Sequence, residues 1–153
     1  MFESLVSNNK LIGCKMVIAT LDGKTVLGTS QGSTANNRAV VSFDITATDP
    51  DPENDLNVCV LEIVEGYNDS SYALKDIRSN TYLCLPSNNN YLTFSDSVYA
   101  GTSWDITFTS DIVKLTSQWN PDYVIQKSKT DDFISCFTGA QNDIAIYIYA
   151  EKA

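Results

Sequence analysis

Residues 71–108 read SYALKDIRSNTYLCLPSNNNYLTFSDSVYAGTSWDITF. Four short apolar segments, SYALKDI, TYLCLP, YLTFSD and SWDITF, are separated by Ser, Asn, Asp and Gly. Short runs rich in Tyr, Leu, Phe and Ile and bounded by turn formers predict strands, and SNNN between two of them predicts a hairpin turn. This stretch behaves as a unit that the rest of the chain repeats.

Upstream, residues 10–20 (KLIGCKMVIAT) predict a first strand, followed by a turn at Leu21-Asp22-Gly23-Lys24, where Asp-Gly tolerates positive φ. A second strand is predicted over 25–29, then a long loop SQGSTANNR, then AVVSFDIT over 39–46, with Val41, Phe43 and Ile45 on one face. The loop 48–55 carries two prolines, which remove ladder donors, so it is no central strand. Residues 57–65 (NVCVLEIVE) close this unit. Downstream, IVKLTSQ from Ile112, YVIQKS from Tyr123, FISCFT from Phe133 and the final IAIYIYA are set apart by turns at 119–122, 130–132 and 139–143. Residues 1–10 read as a polar lead-in, and no helical stripe of useful length stands out.

Aligning Leu27 with Leu83 and Val124, Phe43 with Phe94 and Phe137, and Ile63 with Ile106 and Ile148 gives a repeat of about forty-two residues. The first copy is lengthened by its loops. Three units, at about 10–65, 71–109 and 112–151, with four strands each make twelve, the count of an all-β β-trefoil. In that fold the outer strands of each unit close a six-stranded barrel and the inner hairpins cap it, which leaves few edges to aggregate. A two-sheet sandwich is the competing arrangement of twelve short strands.

At 153 residues the chain is one domain with room for a real core. Only 19% of residues are charged, so Ser, Thr, Asn and Gln must supply much of the surface. A net charge of −9 argues against nucleic acid and anionic membranes as partners. No stretch reaches the ~20 apolar residues of a membrane span, and the N-terminus does not read as a signal peptide. Cys14, Cys59, Cys84 and Cys136 lie far apart without a CxxC motif, and the chain has no His. A Cys/His zinc site is thereby excluded, and buried free thiols are expected, disulfides being the alternative outside the cell.

Several segments resemble a known family. Tyr82-Leu83 with Asn90-Tyr91-Leu92, then Trp104 and Ile106, then Phe133, Ser135-Cys136-Phe137, Gln141, Ile146 and Tyr147 follow in order. Together with Asn36-Asn37-Arg38, they make the chain similar to the non-catalytic C-terminal accessory module of secreted multidomain proteins of gut Bacteroidota. Phe137 stands where that module usually carries Tyr. The resemblance implies an extracellular or cell-surface setting and no catalytic residues. A free-standing virion component of a phage infecting such bacteria is the alternative setting.

Without His there is no Ser-His or Cys-His nucleophile pair, and no phosphate-cradling Gly loop is present, so no enzyme is expected and no cofactor. Asp49, Asp51, Glu53 and Asp55 alternate in the acidic loop as weak Ca²⁺ candidates, without the glycine or terminal bidentate Glu of an EF-hand. Trp104 has Thr102 two residues before it, which breaks the Q-x-W pattern of ricin-type lectins and favours core packing. The candidate ligand contacts are Trp119 and Asn120, Asn88 and Asn89 of the SNNN turn, and Tyr147 with Tyr149, either a stacking platform or half-buried packing. The expected role is recognition of a glycan or protein surface. A structural part of a virion or other assembly is the alternative, and a protease inhibitor a third.

Overall fold

The computed structural model describes residues 2–7, 10–109 and 112–151. A short helix, α1 (Phe2–Ser7), precedes β1 (Lys15–Thr20), β2 (Thr25–Gln31), β3 (Arg38–Ser42) and β4 (Leu61–Glu65). There follow β5 (Tyr72–Asp76), β6 (Tyr82–Cys84), β7 (Thr93–Ser95) and β8 (Trp104–Thr109). The last four are β9 (Ile112–Ser117), β10 (Val124–Lys127), β11 (Phe133–Phe137) and β12 (Ile144–Ala150).

The pairings β1–β4, β4–β5, β5–β8, β8–β9, β9–β12 and β12–β1, all antiparallel, run back to their start. They close a six-stranded barrel. The hairpins β2–β3, β6–β7 and β10–β11 each hang from one barrel strand, through Ala19↔Val26, Lys75↔Tyr82 and Thr116↔Val124. β3 also pairs β11. This is the β-trefoil, and the ring closure rules out two stacked open sheets.

The core follows from the period of two. Met16, Ile18, Leu27, Leu61, Ile63, Leu74, Leu83, Trp104 and Leu115 are fully buried in one cluster. Val17 and Ala19 alternate with Met16 and Ile18 on β1, and they belong to a second cluster with Val26, Val58 and Val60. Both faces of β1 are therefore covered, which explains why MVIA is a continuous apolar run rather than an alternating one. Several of the residues covering the second face, Phe43, Ile45 and Val58 among them, come from the enlarged first unit.

Arg78, just after β5, holds that enlargement in place. Its guanidinium donates to the backbone carbonyls of Val58, of Glu53 (3.1 Å) and of Asp55 (3.1 Å). Pro52–Asn54 form a single 3₁₀ turn with Pro52 buried. The proline keeps this segment out of the sheet, as expected.

Some boundaries differ from the sequence reading. The lead-in contains α1, whose Leu5 and Val6 pack against the main cluster. The first strand starts at Lys15, not Lys10, because residues 10–13 make a turn in which Gly13 has φ 91°. The third strand stops at Ser42. There the Asp44 carboxylate accepts from the Thr46 backbone N–H (2.9 Å), the Thr46 hydroxyl (2.5 Å) and Lys24 Nζ (2.9 Å), a local alternative to ladder bonding. The fourth starts at Leu61, with Val58 bridging Gly28 ahead of it. The SNNN segment lies in the longer β6–β7 connection, residues 85–92, anchored by buried Leu85 and Leu92.

The bond from the Thr46 hydroxyl, then that from the Lys24 ammonium and then that from the Thr46 N–H hold the Asp44 carboxyl down at about 2. A depressed folded-state value contributes stability that is complete above the ordinary carboxylate pKa near 4 and is lost as pH falls toward 2. An NMR titration is therefore expected to show the Thr46 amide keeping its native shift through pH 4 and losing it only near pH 2. A midpoint at the ordinary carboxylate value would refute the Asp44 network.

All four cysteines are buried and free. Burial pushes the Cys59, Cys84 and Cys136 thiols up, away from the thiolate that reacts. Among the described residues, no helix is long and apolar enough to cross a membrane.

Candidate functional site

Three surface loops meet at one place beside the barrel. The β4–β5 turn is tight: Gly66 N–H donates to Ser71 O at 3.0 Å, and the Ser71 hydroxyl donates to Asn68 O at 2.6 Å. A Cβ on Gly66 would lie 2.2 Å from Ser71 Oγ and 2.8 Å from the Ser71 carbonyl carbon, so only glycine fits. The turn projects Tyr67 outward, 65% exposed, while its N–H is held by Ser103 Oγ at 2.8 Å.

Beyond β9, Gln118 N–H donates to Ser103 O at 2.9 Å, bringing the β9–β10 turn alongside the same residue. The Gln118 side chain joins two neighbours: its carbonyl accepts from Asn68 Nδ2 (3.2 Å), and its amide donates to Asp105 Oδ1 (2.5 Å). Asn120 fixes the turn locally, receiving Asp122 N–H on Oδ1 at 3.2 Å and giving its own N–H to Ser117 Oγ at 3.1 Å. Its Nδ2 donates to Asn88 Oδ1, 2.8 Å away on the β6–β7 loop. Between Gln118 and Asn120 stands Trp119, 44% exposed.

Trp119, Asn120 and Asn88 are thus brought together as parts of one surface. Asn89 is exposed on the same loop, but its amide turns back to Ser87 Oγ at 3.0 Å. Tyr67, Asn68 and Gln118 are the additions that sequence reading missed. The signal was present in Gly66-Tyr67-Asn68-Asp69-Ser70, an aromatic inside a turn-forming run, where no core position is expected.

Tyr147 and Tyr149 do not join this surface. Their rings lie side by side, 6.4 Å apart, and pack on the second apolar cluster, half-buried. The Tyr149 hydroxyl is buried without a well-formed hydrogen bond among the described residues, and burial, followed by the adjacent Glu53 carboxylate, pushes its phenol up. A hydroxyl buried in this way marks packing rather than an open platform.

The acidic loop does not assemble a cation cage. Glu53 faces Lys15 at 3.7 Å, Asp55 Oδ1 accepts from Asn57 N–H at 2.9 Å, and Asp49 and Asp51 are exposed. Among the described residues, no group of three or more His, Cys, Asp or Glu side chains converges as a metal would need. The carbonyls of Glu53 and Asp55 turn to Arg78 instead. Trp104 is fully buried and donates Nε1–H to Leu83 O at 3.1 Å, which makes it a core residue.

Exposed aromatic faces beside fixed carboxamides and a carboxylate can stack on an apolar ring face while exchanging hydrogen bonds with hydroxyls around its edge. No family model and no curated protein matches the sequence. Solved structures do match its fold. A Polyporus squamosus lectin, solved with a sialylated glycan epitope, superposes with TM-score 0.65 at 13% identity over 90% of this chain and 49% of that one. A Clostridium perfringens endo-β-galactosidase superposes at 0.64 and 9% identity, over 87% of this chain but only 32% of that enzyme. The BEL β-trefoil superposes at 0.59 and 15% identity, covering 90% of this chain and 94% of that one. The chain thus spans a third to a half of the first two and nearly all of the third, and at these identities the likeness is one of fold.

Proposed function

We propose that this chain is a non-catalytic recognition module that binds a saccharide at the surface formed by Trp119, Tyr67, Asn68, Gln118, Asn120 and Asn88. The observation that carries the reading is an exposed tryptophan flanked by two carboxamides, each tied to a different loop (3.2 Å to Asn68, 2.8 Å to Asn88). Those bonds hold the indole's neighbours in place before any ligand arrives, which lowers the ordering cost of binding. A glycan is favoured over a protein partner because the patch offers amides and hydroxyl acceptors around two aromatics, without the apolar centre of a protein interface. The glycan-binding and glycan-cleaving proteins that share the fold support the ligand class. The resemblance to an accessory module of secreted proteins supports the absence of chemistry.

The chain has two tryptophans, and Trp104 is sealed in the core, so ligand-dependent fluorescence reports on Trp119. A glycan array probed with the intact chain is expected to give saturable hits. Their affinity should fall about tenfold or more in Trp119→Ala and less in Trp119→Phe, the scale of a central aromatic contact. Binding that survives Trp119→Ala unchanged, or an array with no hit from a folded sample, would overturn the assignment.

A further inference from the structure

We propose that the chain carries a second saccharide-binding cleft, between the β1–β2 turn and the loops flanking β11, and that it admits sugars lacking an acidic group. The cleft has a volume of about 570 Å³ and lies between the first and third units. That is within the range of small-ligand sites and large enough for a sugar ring or two. Its place is set by register. Thr20 at the end of β1 faces Ile144 at the start of β12, as Ser117 at the end of β9 faces Trp104 at the start of β8. The β1–β2 turn therefore sits on β12 as the Trp119 turn sits on β8.

The lining mixes donors, acceptors and apolar surface. Thr20 Oγ1 lies 2.7 Å from Asp22 Oδ1 and 2.9 Å from Thr25 Oγ1, a fixed row of hydroxyl and carboxylate. Opposite, the Lys127 side chain is only 17% exposed. Its ammonium has Ser128 O at 3.0 Å and its nearest carboxylate, Asp132, at 3.9 Å, which leaves donor capacity facing the cleft. Asn142 is held against Lys127 by reciprocal backbone bonds of 3.0 and 2.9 Å, with its side chain exposed. Val40 and Leu21, the latter 55% exposed, supply an aliphatic wall for the C–H face of a ring. A vicinal diol both gives and takes hydrogen bonds, and this alternation of acceptor and donor suits it.

Charge sets the selectivity. Asp22 and Asp132 outnumber Lys127 in the cleft, Asp143 is already taken by Lys114 at 2.7 Å, and the chain carries −9 overall. A carboxylated or sulfated sugar meets a net negative field, and a neutral or amino sugar does not. With no aromatic among the described lining residues, binding here is weaker than at Trp119.

The inference shares the ligand class proposed above but none of its residues, so each can fail alone. The test is amide-shift NMR on the full ¹⁵N-labelled chain. The probes are glucose, galactose, mannose, N-acetylglucosamine and glucosamine, with glucuronic acid and glycylglycine as counter-probes. The amides of Asp22, Thr25 and Asn142 are expected to shift saturably with at least one of the five sugars, with an unchanged midpoint in Trp119→Ala. Thr25→Val and Lys127→Met should each weaken that response about fivefold or more, with Asp22→Asn replacing whichever does not fold. Three results overturn the cleft: no sugar moves these amides, glucuronate or glycylglycine moves them equally, or the response disappears in Trp119→Ala.

Discussion

Trp104→Ala is expected to lower the unfolding free energy by about 3–5 kcal/mol, the range for a fully buried large aromatic. Its side chain is wholly excluded from solvent and its indole N–H is bonded to Leu83 O at 3.1 Å. Tyr72 of β5 and Ser117 of β9 are its register partners, so it stands where the second and third units join. Truncation opens a cavity on that seam and leaves a buried carbonyl without its donor. Since small domains hold ~5–15 kcal/mol in total, this one change could consume much of it. Trp104→Phe keeps most of the volume and loses the bond, and about 1–3 kcal/mol is expected. Urea unfolding followed by far-ultraviolet circular dichroism measures both. A cost below about 1 kcal/mol for the alanine variant would refute the placement of Trp104 in the core.

Arg78→Ala is expected to cost about 2–4 kcal/mol, more than a typical surface arginine, because its bonds end on backbone. Val58 is fully buried, so its carbonyl loses its guanidinium donor in a place that water reaches poorly. The carbonyls of Glu53 and Asp55 lose theirs as well. Arg78→Lys should recover only part, since one ammonium cannot reproduce a planar fork serving several acceptors. The change should be local. Hydrogen exchange is expected to accelerate over residues 52–60 and around Tyr147 and Tyr149, while β5–β10 keep their protection. Uniform acceleration across all strands would instead make Arg78 a global determinant.

The barrel was readable because its strands obey simple patterning. Short apolar runs recur with turn formers between them, and three copies of four leave few architectures to choose from. Tyr147 and Tyr149 were legible only as a pair on one side of a strand. Whether that side met solvent depended on Phe43, Ile45 and Val58, whose position over it is a tertiary fact. The hint lay in β1, where MVIA lacks polar alternation because both sides are covered. The acidic run 49–55 looked like a cation ligand set because carboxylates alternate in it, whereas the charge that serves its carbonyls is Arg78, more than twenty residues on. At the candidate site, Trp119, Asn120 and Asn88 stood out as polar-loop residues. Tyr67 and Gln118 did not, since their contacts with Ser103 and Asn68 span thirty to fifty positions that no local pattern encodes.

Six register pairs join β1 to β12, from Lys15↔Ala150 to Thr20↔Ile144, so the first and last strands are lateral neighbours. The hydrogen-bonding circuit therefore has no seam of its own, and the β1–β12 ladder does not depend on which surface turn carries a break in the chain. Which third of the chain counts as first is a matter of synthesis order, and architecture is indifferent to it.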